Sequence, residues 1–436
     1  MPQLMIPGRL IAAGDDGVLV AGNLLNDATS YLGGVEPYHY ADYINNRMLY
    51  AGADVGTVAD GTGYSFTRAS EGYYENSDGT LTNFASGALR RGDRGVLIEG
   101  ARTNLLLRSQ EFDNASWSKT RASVTANAVT APDGTTTADK LVESVDVGTH
   151  YVSQAFTGVD STTYTNSVFV KAAERTWAWV VLTTQAGGLR GAYINLATGA
   201  LGTVSGSTTA SVEAFADGWY RVRVTADIGA AGSGEQVQVY AATADGTTSY
   251  TGDGTSGIYI WGAQLEAGAF PSSYIPTTSS SATRAADILS YTAGVSYPLS
   301  LWAEFERVVD TGSDAWITQL DNGTATERAA MRVSSAAALS GLSVAGGVQQ
   351  SGETITGPIA LNTVTTGATR IAANNVKLVL DGTLSSGDAS ATLPASPTMW
   401  RAGVDNSSGI FLWGYIRRLA IFNSALSDAN LQTVTT

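Results

Sequence analysis

Asp-Gly-Thr recurs at Asp60, Asp78, Asp133, Asp245, Asp253 and Asp381, each time beside a run of β-rich or alternating residues. Asp-Gly supplies the positive φ that a type I′ turn needs, so each copy predicts a hairpin tip. "VKLVLDGTLSS" (Val376 to Ser386) is the plainest case: a strand, a turn and a return. "WYRVRVTAD" (Trp219 to Asp227) alternates in period two, with Tyr220, Val222 and Val224 on one face and Arg221 and Arg223 on the other. "EQVQVYAAT" and "TYTNSVFVKA" repeat the pattern. Strands punctuated by turns at roughly 8–12-residue spacing predict sandwiches. Helical periodicity is nearly absent. The tail "SALSDANLQTV" is the best exception, with Ser427 placed to cap a short helix.

A chain of 436 residues exceeds what one core holds, so two or three domains are expected. The predicted fold class is all-β: two tandem β-sandwich (jelly-roll) domains behind an irregular N-terminal region. Residues 1–95 carry Tyr clusters and glycines with weak strand patterning, residues 96–289 the most regular strands, and residues 290–436 a last region. The polar seam "PTTSSSATRAAD" (Pro276 to Asp287) joins the second to the third.

The net charge of −14 argues against nucleic acid, whose backbone needs Lys/Arg stripes, and against an anionic membrane surface. With no Cys, disulfides, thiolate metal sites and cysteine nucleophiles are excluded. The opening "MPQLMIPGRLIAAG" has no long apolar core, so no signal peptide is expected, and no apolar run reaches the ~18 residues of a membrane-spanning helix.

His39 and His150 lie far apart with no HxxxH pattern, which speaks against zinc or iron. Calcium has one candidate place, the oxygen-rich "TGDGTSG" around Asp253, against the simpler reading as a turn. No GxSxG elbow or P-loop occurs. Glu304 and Glu306 share one face of "WAEFERVV" and are expected to be a solvated face opposite Leu301, Ala303 and Phe305, rather than a carboxylate pair across a cleft. No enzyme is expected.

"ERTWAWVVL" puts Trp177 and Trp179 on one face of a strand. Two readings stand: an aromatic platform for sugar, or core filling in a strand apolar on both faces. Trp219, Trp261 and Trp413 pose the same choice. In "GVLIEGARTNLL", Glu99 and Arg102 flank Gly100, which permits a tight turn; an ion pair or backbone hydrogen bonds there would fix the angle at which the chain enters a sandwich.

That stretch also carries a resemblance. Phe66-Thr67-Arg68-Ala69-Ser70, Tyr74, Asp78-Gly79, then Glu99-Gly100-Ala101-Arg102-Thr103-Asn104-Leu105 and Phe112, Asn114, Ala115, Trp117 resemble, in order, the junction of many tailed-phage and prophage virion proteins. With "DGWYRVRV" and "IYIWGAQLEAGAFPSSYIPT" the match resembles the phage head-spike or head-fibre domain, a carbohydrate-binding-module-like jelly roll. "LWAEFE" and "GYIRRLAIFNSALSDANL" resemble a concanavalin-A-like or laminin-G-like sandwich. The resemblance spans roughly residues 64 to 436. It implies a virion protein, a head spike or fibre, that binds host-surface polysaccharide, for which the same-face Trp177 and Trp179 are the candidate site. Residues 1 to about 60 lie outside the resemblance, and their position alone makes them the candidate for docking onto capsid or other virion proteins. The Tyr-rich opening region and the absence of disulfides lead us to expect a homo-oligomer, with a trimer favoured. The alternatives are a tail-associated adhesin, a polysaccharide depolymerase, and a ligand-free decoration protein whose tryptophans are all core.

Overall fold

The computed structural model describes residues 5–6, 9–10, 24–184, 188–230, 232, 234–355, 357 and 359–436. Among these residues the fold is all-β with two short α-helices, and the chain divides into two compact units. One unit comprises residues 66–287. The other is discontinuous and comprises residues 1–65 and 288–436. The structure thus draws the boundaries elsewhere than at 95/96 and 289/290, and the discontinuous unit replaces a tandem arrangement.

In the 66–287 unit two antiparallel sheets face each other. One runs in the order Ser118–Thr120, Val147–Ala155, Gln236–Ala242, Trp177–Thr183, Leu189–Asn195, Leu201–Ser205. The other runs Ala122–Val129, Ala138–Glu143, Gly257–Ala267, Thr163–Ala172, Tyr220–Asp227, Thr209–Ala214. Because successive side chains alternate across a strand, Ala178, Val180 and Leu182 enter the core with Val237, Val239, Ala192 and Ile194 from their own sheet and Val168, Val170, Val222 and Val224 from the other. The second sheet also buries its outer face: Phe169, Trp219, Trp261 and Tyr274 pack there with Tyr73 and Leu81 of the Gly72–Glu75/Leu81–Phe84 hairpin.

In the discontinuous unit, Leu299–Arg307 lies between Val364–Ala372 and Gly414–Phe422, and His39–Asp42 pairs with Gly414–Phe422 in turn. Arg47–Tyr50 and Ala53–Gly56 extend that sheet. Residues 24–56 are therefore structural members of this sandwich, not an irregular appendage. The helices Leu24–Tyr31 and Asp428–Val434 cover the sheet, packing Leu24, Ala28, Leu431 and Val434 against Tyr40, Trp302 and Phe422. Ser427 caps the second helix by accepting from the Asn430 N–H at 3.2 Å, as its sequence predicts. The helix Leu24–Tyr31 is not among the sequence expectations. A second sheet runs Val348–Ile355, Leu339–Ala345, Arg328–Val333, Ala315–Asp321, Met399–Ala402, Ile288–Thr292.

The turn chemistry holds in part. Asp381 and Gly382 both have positive φ, 44° and 76°, the signature of type I′. At Asp78, Asp133, Asp245 and Asp253 only the following glycine does, while Gly61 has φ −58°. At Asp78, Asp133 and Asp253 the carboxylate instead accepts from the backbone N–H and hydroxyl of the Thr two residues on.

One polar expectation also changes. Glu304 and Glu306 are buried, each 6% exposed, rather than solvated. Glu304 accepts from Tyr31 Oη at 3.0 Å and from Arg418 Nη1 at 2.5 Å, with Arg417 Nε at 3.4 Å. Covering that face would strand the carboxylate were these donors not present. His39 is buried; its Nδ1 accepts from the Ala51 N–H at 3.0 Å, so its Nε2 is the donor to the Ala293 carbonyl at 2.8 Å.

Candidate functional site

The outer face of the sheet that contains Trp177–Thr183 carries Trp177 and Trp179, plus three aromatic residues the sequence does not single out. Strand register sets Tyr193, Trp179, Tyr240 and Tyr151 side by side across four neighbouring strands. Trp179 stacks on Tyr193 with ring centroids 5.1 Å apart and planes 8° from parallel, and lies 4.9 Å from Tyr240, which stacks on Tyr151 at 4.4 Å. The Tyr240 hydroxyl donates to Gln238 Oε1 at 2.7 Å.

Face-to-face packing leaves the rings little to offer a ligand. Trp179 is only 8% exposed, and Tyr193 and Tyr240 are as deeply covered. The sequence reading of Trp177 and Trp179 as joint platform therefore needs correcting: the two do share a strand face, but Trp179 is enclosed by its cross-strand tyrosines. Its indole Nε1 is buried without a hydrogen-bond partner. Tyr151 and Trp177 remain half-exposed at the margins of the cluster.

Trp177 has the polar company a sugar site needs. Asn195 is its partner on the next strand. Gly202 brings a carboxylate beside it: a Cβ there would lie 2.6 Å from Asp245 Oδ1 and 2.9 Å from Trp177 Cζ3, so only glycine leaves the space. Asp245 is oriented by the Thr203 N–H at 2.8 Å and the Thr203 hydroxyl at 3.1 Å. An indole with an adjacent exposed carboxylate can stack on sugar C–H groups while accepting from hydroxyls. Asp245 appears in sequence only as a turn residue, and nothing there links it to Trp177.

Glu99, Gly100 and Arg102 take structural roles. Glu99 belongs to a buried ionic cluster: its Oε2 lies 2.8 Å from Arg90 and 3.6 Å from Arg284, while Ser273 donates to it from its N–H at 2.9 Å and its hydroxyl at 2.6 Å. Asp287 joins by pairing with Arg90 and, at 3.1 Å, with Arg68. Burial opposes ionisation of Glu99, but the Arg284 and Arg90 guanidiniums and the Ser273 donors outweigh it and hold the carboxyl down at about 2. Gly100 is not among the positive-φ residues, contrary to the turn expected there, and its carbonyl accepts from Arg284 Nη2 at 2.7 Å. Arg102 donates to the Ala267 carbonyl and lies over the Phe270 ring at 4.5 Å. The cluster links the first and last segments of the unit, which is the purpose of the "LIEGARTN" stretch.

The calcium reading at Asp253 meets a carboxylate already engaged. Its oxygens accept from Thr255 and Ser256, and Arg175 Nη2 lies 3.6 Å away. No group of three or more His, Asp or Glu suited to a metal occurs among the described residues. No described helix is long and apolar enough to cross a membrane.

No family model matches the chain, and no curated protein does. Among solved structures, the Ruminococcus gnavus IT-sialidase CBM40 bound to α2,6 sialyllactose matches at 14% identity, covering 33% of this chain and 85% of that one, with a TM-score of 0.27. Mouse laminin α1 chain domains LG4-5 match at 11% identity over 75% and 88%, TM-score 0.23. The heptameric SAP-like pentraxin from Limulus polyphemus matches at 11% over 32% and 70%, TM-score 0.26. These likenesses add nothing to the β-sandwich architecture already described.

Proposed function

We propose that this chain is a non-enzymatic, glycan-binding structural protein of a tailed phage or phage-like particle, a head spike or fibre whose 66–287 sandwich engages host-surface polysaccharide. The observation that carries the binding half is the half-exposed Trp177 set beside the Asp245 carboxylate by Gly202. Stacking plus hydroxyl acceptance without a guanidinium in the set suits neutral sugar units. The virion half is supported by the ordered phrase from Phe66 to Trp117 and by the two closing phrases of the same sandwich.

A single stacked sugar binds weakly, so the reading includes a homo-oligomer, with a trimer favoured, in which copies act together. Attachment to capsid or other virion proteins was expected of residues 1 to about 60. Residues 24–56 are built into a sandwich, and most of the remainder, 1–4, 7–8 and 11–23, lie outside the described residues. The attachment proposal rests on that remainder.

The burial of Trp179, Tyr193 and Tyr240 favours one alternative, a ligand-free decoration protein. An array of capsular and lipopolysaccharide glycans probed with the full-length chain separates the two. Glycan binding by the parent that is lost in Trp177→Ala and in Asp245→Ala supports the proposal. No binding by the parent to any glycan leaves the decoration reading.

A further inference from the structure

The discontinuous unit has its own non-core sheet face, with a different chemistry. Register puts Trp316 opposite Arg332, Gln319 opposite Ala330, and Asp321 opposite Arg328. Trp316 packs over Ala330, Leu342 and Val344 and is 2% exposed. Its Nε1 donates to Gln319 Oε1 at 2.6 Å, and Gln319 Nε2 donates to Asp321 Oδ2 at 2.8 Å. The indole is thus fixed from below and at its edge.

Two half-buried guanidiniums converge on that ring, Arg332 at 5.1 Å and Arg328 at 5.7 Å from its centroid. Arg332 is paired with Asp314. Arg328 forms no ion pair among the described residues; its partner is the neutral Asn406, whose Oδ1 accepts from Arg328 Nη1 at 3.1 Å. The carboxylates around it are engaged elsewhere. Asp321 pairs with Arg401 at 2.7 Å. Asp405 accepts from the Ser407 N–H and hydroxyl and from the Gly409 and Ile410 N–H groups. Burial above all, then the charge of Arg332, disfavours the Arg328 cation, with Asp405 and Asp321 opposing them. Two like charges drawn over one indole, one of them without a counter-ion, form a donor-rich place for a planar anion.

We propose that Arg328 and Arg332, held over Trp316, bind the carboxylate of an acidic sugar residue. The sugar half of this inference rests on the glycan-binding reading above; the carboxylate half stands on the arginine pair alone. A second site on the other sandwich gives each copy two kinds of sugar contact, a neutral unit at Trp177 and an acidic unit here. The net charge of −14 opposes a densely charged polyanion, so the site suits a polymer with sparse carboxylates, whose long-range repulsion salt screens beyond about 8 Å.

The test is a titration of the full-length protein with sodium glucuronate, glucose, acetate and a tetraglutamate peptide. It is read by calorimetry and by the NMR signals of the arginine Nε–H groups. Glucuronate is expected to shift the Arg328 and Arg332 signals while glucose does not, and Arg328→Gln to weaken glucuronate binding about tenfold or more. Trp177→Ala should leave that binding unchanged. Should Arg328→Gln fail to fold, the Nε–H shifts of the parent decide alone. Glucuronate binding untouched by Arg328→Gln, or no arginine shift at high millimolar glucuronate, overturns the site. Acetate or the peptide binding as tightly as glucuronate overturns the sugar assignment. Failure of the parent protein to bind any neutral glycan, with glucuronate binding intact, would instead sink the Trp177 reading and leave this one standing.

Discussion

Replacing Glu99 by Gln removes one of two carboxylates that neutralise three buried guanidiniums, those of Arg68, Arg90 and Arg284. The substitution keeps the shape and leaves Arg90 and Arg284 facing an amide. Breaking a buried pair in this way costs about 3–5 kcal/mol. The carboxyl's own titration gives a second route to the number. With the folded value at about 2 against ~4.3 for an unperturbed Glu, the ionised group contributes about 3 kcal/mol at neutral pH. Because the folded value is the lower one, that contribution is complete above the unfolded pKa and is lost as pH falls through the folded pKa; by pH ~3 about half remains. Urea unfolding of parent and Glu99→Gln at the two pH values measures the difference. The expected loss is about 3–5 kcal/mol at pH 7 and less than that by about 1–2 kcal/mol at pH 3. For a unit spanning 66–287 the neutral-pH loss corresponds to a fall in Tm of roughly 6–20 °C. A loss under ~1 kcal/mol at pH 7, or one equal at both pH values, would refute the view that ionic closure of this sandwich depends on Glu99.

Trp179→Ala should behave as a core deletion and cost about 3–5 kcal/mol, whereas the half-exposed Trp177→Ala should cost clearly less; thermal melting of both variants compares them. Burial pulls His39 down to about 4, against its hydrogen bond to Ala293, so the unfolded chain binds the extra proton between pH ~6.5 and ~4 and stability drains as pH falls across that window, by roughly 3 kcal/mol in all. A ring-proton NMR titration showing His39 charging near 6.5 in the folded protein would contradict this. A chain truncated at residue 60 loses His39–Asp42 and Arg47–Tyr50 from their sheet and should leave the discontinuous unit unfolded, seen as a lost calorimetric transition.

What the sequence reveals follows the reach of each interaction. Period-two alternation is local, so the shared face of Trp177 and Trp179 and the all-β class are legible in it. The Ser427 cap is local too. Burial is not: Trp179 is enclosed by Tyr193 and Tyr240 from other strands, which no spacing within "ERTWAWVVL" reports. Glu304 reads as solvated because its partners, Tyr31 and Arg418, come from opposite ends of the chain. The same distance hides the pairing of His39–Asp42 with Gly414–Phe422, and with it the true division into units. Asp245 is legible as a turn and illegible as a neighbour of Trp177, since Gly202 sets that proximity.

The central claim is that sugar meets this chain at Trp177. The indole N–H signals of the protein, followed by NMR during titration with a glycan selected from the array, test it most directly. The Trp177 signal is expected to move, while those of the buried Trp117, Trp179, Trp219, Trp261, Trp302 and Trp400 stay in place. A titration in which the glycan binds and the Trp177 signal does not move would contradict the account.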